Sequence, residues 1–150
     1  SSTTRVNNLN AAMLDGYTWL SPSASRLGSD VGIPERTLTA PDMTWANGPQ
    51  LFLSRSGWYL VIGVFDMEVQ GHSTNIVCGG ALYTNGSFQI PQVVLRADGG
   101  VNTRATVSQT WVVWLPSNAT IRLYAARTSG TATSTLRRDH TTITAVWVAP

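Results

Sequence analysis

Two histidines, eight carboxylates and a single cysteine are the residues through which this 150-residue chain could do chemistry. Hydrolysis needs a nucleophile beside a base, and neither histidine sits in such a motif. His72 lies in Gly71-His72-Ser73, and His140 follows Arg137-Arg138-Asp139; both read as surface-loop residues. No His-x-x-x-His or Cys-x-x-Cys spacing is present to hold zinc. Asp66 and Glu68 share one face of a strand, and paired carboxylates can cleave glycans. They fall where the apolar run ends, however, and read as a polar strand terminus. Asp98-Gly99-Gly100-Val101-Asn102 offers two oxygen-bearing side chains, well short of a calcium shell. Asp98 there reads as a turn residue. Cys78, between Val77 and Gly79, reads as a small buried hydrophobe. The reading is therefore no enzyme, no cofactor and no metal.

Recognition is the better use of these residue types. Six tryptophans are present. Trp58, Trp111, Trp114 and Trp147 fall in strand-like runs, where packing accounts for them. Trp45 stands beside Asn47-Gly48-Pro49 in a loop-like stretch, where packing is the first reading and stacking on a sugar the alternative. Polar loops at 42–49, 71–75, 98–104 and 128–140 give Trp45, Asn47, His72, Asn102 and His140 as candidate receptor contacts.

All ten basic residues are arginines, and only Arg137 and Arg138 are adjacent. A net charge of +2 spread in this way is not the clustered basic stripe of a nucleic-acid reader. No apolar run approaches the roughly 20 residues of a membrane-spanning helix. Charged residues make up 12% of the chain, about half the usual share. The polar surface falls instead to 33 serines and threonines, of which threonine suits a pleated sheet.

Loops that recognise need a scaffold, and residue periodicity supplies one. In residues 1–36, Leu9, Met13 and Leu14 have helix-like spacing that stops at Asp15-Gly16. The stretches after it, from Ser21-Pro22 and from Gly28-Ser29, are linker-like, so 1–36 reads as a stem or linker segment that buries too little apolar surface to fold alone. From residue 37 the period becomes two. Strands are expected at 37–40, 50–54, 58–69, 74–83, 88–97, 107–115, 120–127 and 141–148, separated by turn dipeptides such as Asn85-Gly86. Apolar residues on both parities up to Phe65 imply a central strand or a subunit interface. The sum is an all-β sandwich at 37–150, with its edges closed by jelly-roll winding or covered by oligomerisation.

Several segments in this order resemble the tumour necrosis factor and complement-globular-head superfamily. They are Gly57-Trp58-Tyr59-Leu60-Val61-Ile62, Ala81-Leu82-Tyr83-Thr84-Asn85-Gly86, residues 108–123 and Thr142-Ile143-Thr144-Ala145-Val146-Trp147-Val148. Asn118-Ala119 stands where that family usually has Gly-Asp. The resemblance implies a ten-stranded jelly roll assembled as a homotrimer, with Leu60, Ile62, Val113 and Ile143 toward the threefold axis. Ordinary sandwich core is the other reading of those four.

The leader Asn8-Leu9-Asn10-Ala11-Ala12-Met13-Leu14-Asp15-Gly16-Tyr17 is similar to stem segments of bacteriophage tail and head fibres. Together the two resemblances imply a trimeric fibre domain on the virion surface that binds a host receptor or glycan. A structural trimerisation or capsid-decoration module is the alternative. A signalling ligand of the tumour necrosis factor type stands third.

Overall fold

The computed structural model describes residues 13–14, 17–18, 23–26, 36–38, 46–71, 76–98, 100–129 and 133–150. Among them there is no helix. The strands in chain order are β1 (Met13–Leu14), β2 (Tyr17–Thr18), β3 (Ser23–Arg26), β4 (Arg36–Leu38), β5 (Ala46–Leu53), β6 (Gly57–Gln70), β7 (Ile76–Thr84), β8 (Ser87–Phe88), β9 (Val93–Ala97), β10 (Thr103–Leu115), β11 (Ala119–Ser129) and β12 (Thr133–Ala149).

Ten of these strands form two five-stranded antiparallel sheets. The first has the order β10-β6-β12-β3, with β4 also on β12; the second runs β5-β11-β7-β8, with β9 also on β7. The pairing is nested. β3 pairs with β12, β5 with β11, β6 with β10, and β7 with β9. Outer strands of the chain thus pair with outer and inner with inner, shared between two sheets, which is the winding of a jelly roll.

Three expectations change. Met13 and Leu14 form a strand opposite Thr18 and Tyr17, not a helical turn. Asp-Gly favours a hairpin, and three apolar residues are too few to carry the cost of nucleating a helix. Second, β3 lies inside the segment read as a stem, yet it pairs with β12 from Arg26–Thr142 to Ser23–Ala145. That segment therefore contributes a strand to the first sheet. Third, the run 88–97 is two strands, because Pro91 has no N–H to continue a ladder.

The turns follow their residues. Asn85 and Gly86 both have positive φ, 51° and 79°, and join Thr84 to its partner Ser87 as a tight two-residue hairpin. Asn118, between β10 and β11, has φ 61°. Asparagine tolerates this left-handed conformation, so the departure from Gly-Asp still leaves a tight turn.

Strand alternation sends Tyr59, Val61, Phe65, Met67 and Val69 of β6 into the core, against Leu82, Trp111, Ile121, Leu123 and Leu136 among others. Glycines make room for the largest rings. A Cβ on Gly63 would sit 2.8 Å from the Trp111 ring and 2.8 Å from Leu123. One on Gly80 would sit 2.7 Å from both Phe65 and Val93. The buried Trp111 indole N–H donates to the Pro91 carbonyl at 2.9 Å, so the ring enters the core with its polar atom satisfied.

Candidate functional site

The alternation that fills the core also builds two outer faces. On the first sheet, the outward residues of β6 are Trp58, Leu60, Ile62, Val64, Asp66 and Glu68. Trp58 lies opposite Trp114. Leu60 lies between Val112 of β10 and Val146 of β12, and Ile62 lies between Thr110 and Thr144. Trp58 is 45% exposed, Trp114 48% and Val112 64%. Leu60, Ile62, Val64 and Val146 are half-buried. This half of the face is an apolar stripe open to solvent.

Val113 and Ile143, which the resemblance sets toward the axis with Leu60 and Ile62, have the opposite parity. Both belong to the core, and Ile143 is fully buried within the chain. Their contacts are between the sheets, so of the four only Leu60 and Ile62 face outward.

The other half of the same face is charged. Asp66 and Glu68 do share it, but Asp66 is completely buried, contrary to the exposed terminus its sequence position suggests. Arg104 reaches across from β10 and makes a two-pronged pair, Nε to Oδ1 at 3.0 Å and Nη2 to Oδ2 at 2.5 Å. A register shift in β12 between Arg137 and Thr142 brings Thr141 to the Asp66 backbone. The Thr141 hydroxyl accepts from the Asp66 N–H at 3.1 Å and donates to the Arg137 carbonyl at 2.5 Å. Arg137 pairs with Glu68 at 3.2 Å. Each carboxylate is thus held by an arginine, as buried charges must be.

The second sheet's outer face is aromatic. Gln50, Arg122, Tyr83 and Phe88 form one lateral row across β5, β11, β7 and β8. The rings of Tyr83, Phe88 and Tyr124 pack edge to face, with centroids 5.0, 5.4 and 5.5 Å apart. The Arg122 guanidinium lies 5.9 Å from the Tyr124 ring centre and hydrogen-bonds the Gln50 amide oxygen. Phe52, opposite Thr120, is 64% exposed. Sequence reasoning missed this cluster. One signal was available: a two-residue Asn-Gly hairpin must set Tyr83 opposite Phe88.

The candidate receptor contacts divide. Trp45 and His72 lie outside the described residues. Asn47 is in β5 opposite Tyr124, so Asn47-Gly48-Pro49 is strand, not loop. A Cβ on Gly48 would sit 2.9 Å from the Leu123 carbonyl, which explains a glycine where β11 comes close. Asn102 is exposed, and its side-chain oxygen accepts from the Gly71 N–H at 3.1 Å. That bond ties the loop after β6 to the loop before β10 at one end of the sandwich. His140 is exposed but lies within β12, in its register shift, and not in a loop.

Cys78 faces the core, where burial pushes its thiol up against the opposing pull of the neighbouring Ser134 hydroxyl and the Arg127 charge. Among the described residues, no three His, Cys, Asp or Glu side chains gather as a metal group.

No protein family matches the chain, and no curated protein matches its sequence. Solved structures are similar at low identity. A tumour necrosis factor, Eiger, from S. frugiperda aligns at 14% identity over 77% of this chain and 84% of its own, with a TM-score of 0.47. A family 35 carbohydrate-binding module from Clostridium thermocellum aligns at 13% over 83% and 98%, with a TM-score of 0.38. The infectious bursal disease virus Gx strain structure aligns at 13% over 89% and 39%, with a TM-score of 0.32.

Proposed function

We propose that this chain is a trimeric domain of a bacteriophage fibre that binds the host cell surface, with a glycan as its receptor. The observation that carries the reading is the apolar stripe of Trp58, Leu60, Ile62, Val112, Trp114 and Val146 on the first sheet. Contiguous exposed apolar surface of this kind marks an interaction site. Two further copies of the chain are the occupants that the superfamily resemblance implies, and the fibre-like leader supports a virion setting. Three copies on one axis multiply weak single-site contacts.

The test is solution mass by light scattering, followed by adhesion of the labelled chain to bacterial cells. A trimer that adheres supports the whole reading. A trimer that adheres to no cell or surface glycan leaves the structural module. A monomer removes the stripe's assigned role.

A further inference from the structure

We propose that the aromatic row on the second sheet is a binding site for acidic saccharides. The inference rests on the surface-binding reading and names the face and the ligand class. Sugar rings present C–H faces that stack on aromatic rings, and hydroxyls that need hydrogen-bonding groups between those rings. The row supplies both. Tyr83, Phe88 and the adjoining Tyr124 form the apolar part, and Gln50 and Arg122 stand in one lateral line with Tyr83 and Phe88. Four strands at about 4.8 Å spacing make a platform roughly 14 Å across, enough for a short oligosaccharide.

Charge selects among saccharides. The outer face of this sheet carries Arg96 and Arg122, and its strands hold not one Asp or Glu. On the first sheet, by contrast, Arg104 and Arg137 are matched by Asp66 and Glu68. Arg122 is half-buried beside the Tyr124 ring, and its Gln50 partner is neutral. A guanidinium fork fits a carboxylate better than it fits a hydroxyl. A glycan bearing uronic or sialic acid therefore complements the platform in shape, polarity and charge.

The experiment titrates the full chain with trigalacturonic acid and with sialyllactose, using lactose as the neutral control, and reads binding by calorimetry. Arg122→Gln and Phe88→Ala alter exposed or half-exposed groups, and a retained melting temperature shows that each still folds. The expected result is binding of at least one acidic probe in preference to lactose, weakened by added salt. Loss of one charged hydrogen bond is expected to reduce it about tenfold in Arg122→Gln. If binding survives both substitutions and is lost in Asn102→Ala, the end loops bind and this face does not. If the chain adheres to cells but binds neither acidic probe, the saccharide class is wrong while surface binding stands. If wild type neither adheres nor binds, both readings fail. A change of solution mass in Phe88→Ala would show a second copy on the platform and overturn the proposal.

Discussion

The two outer faces are made from the same fold and the same pleat, yet they differ in kind. The first sheet presents aliphatic and tryptophan side chains at one half and two carboxylate–arginine pairs at the other. The second presents phenolic and phenyl rings with an amide and a guanidinium among them. An apolar stripe whose only side-chain donors are two indole N–H groups has few hydrogen bonds to offer and is satisfied by another apolar surface. A face that mixes rings with planar polar groups suits a ligand with apolar faces and polar edges. We propose on this ground that assembly uses the first sheet and recognition the second.

The sharpest way to break that division is to charge the stripe. Ile62→Asp places a carboxylate between Thr110 and Thr144 on the outward face. The expected outcome is complete loss of the trimer with the strand spectrum kept in circular dichroism. Acidic-saccharide binding per chain should persist, because Tyr83 and Arg122 lie on the other sheet. Tyr83→Ala makes the converse test: the trimer stays, and saccharide binding falls by more than it does in Arg122→Gln.

Smaller effects concern what holds each face in place. Arg104→Ala leaves the buried Asp66 carboxylate without its two-pronged partner. Breaking a buried pair typically costs about 3 kcal/mol or more, and the 41% exposure of the Arg104 side chain brings the expected loss below that figure. Denaturant unfolding measures it, and the trimer should survive. Gly63→Ala forces a Cβ against Trp111 and Leu123 under both faces, with an expected cost of about 1–3 kcal/mol.

The smallest effect is a pH dependence. Burial raises both the Cys78 thiol and the Tyr59 hydroxyl, the latter against the opposing pull of Arg55. A raised acid favours the neutral form in the folded chain, so this contribution is whole below the unfolded pKa values. It begins to fall above those unfolded values, about 8.5 for the thiol and about 10 for the phenol, and is lost as pH rises through the raised folded ones. Stability should therefore decline above that threshold, and Cys78→Ala should flatten its first step. Native Cys78 should also resist thiol reagents until the chain unfolds.

Much of the sandwich was legible because buried strands write themselves in alternation. β6, β7, β10 and β11 fall close to their expected spans, and Asn85-Gly86 makes the turn its residues favour. What could not be read was structure held by backbone rather than by pattern. Ser-Ala-Ser-Arg in β3 has no apolar period; its place comes from the ladder it makes with β12. The first half of β12 is polar because it runs over the Asp66 network, and so it read as loop. Ala46-Asn47-Gly48-Pro49 carries turn residues, yet it follows β11 through a register shift. The candidate sites divide in the same way. Leu60 and Ile62 follow from one strand's parity. Ile143 and Val113 needed the register, and the Tyr83, Phe88 and Tyr124 cluster needed the nested topology that lays β11 beside β7.

The most direct test of the central claim, that the first sheet's outer face is where copies meet, is the mass of the chain in solution by light scattering. The account predicts three times the 16.2 kDa of a single chain, falling to one chain in Ile62→Asp. A wild-type mass of 16.2 kDa across a wide concentration range, or a trimer unmoved by Ile62→Asp, would contradict it.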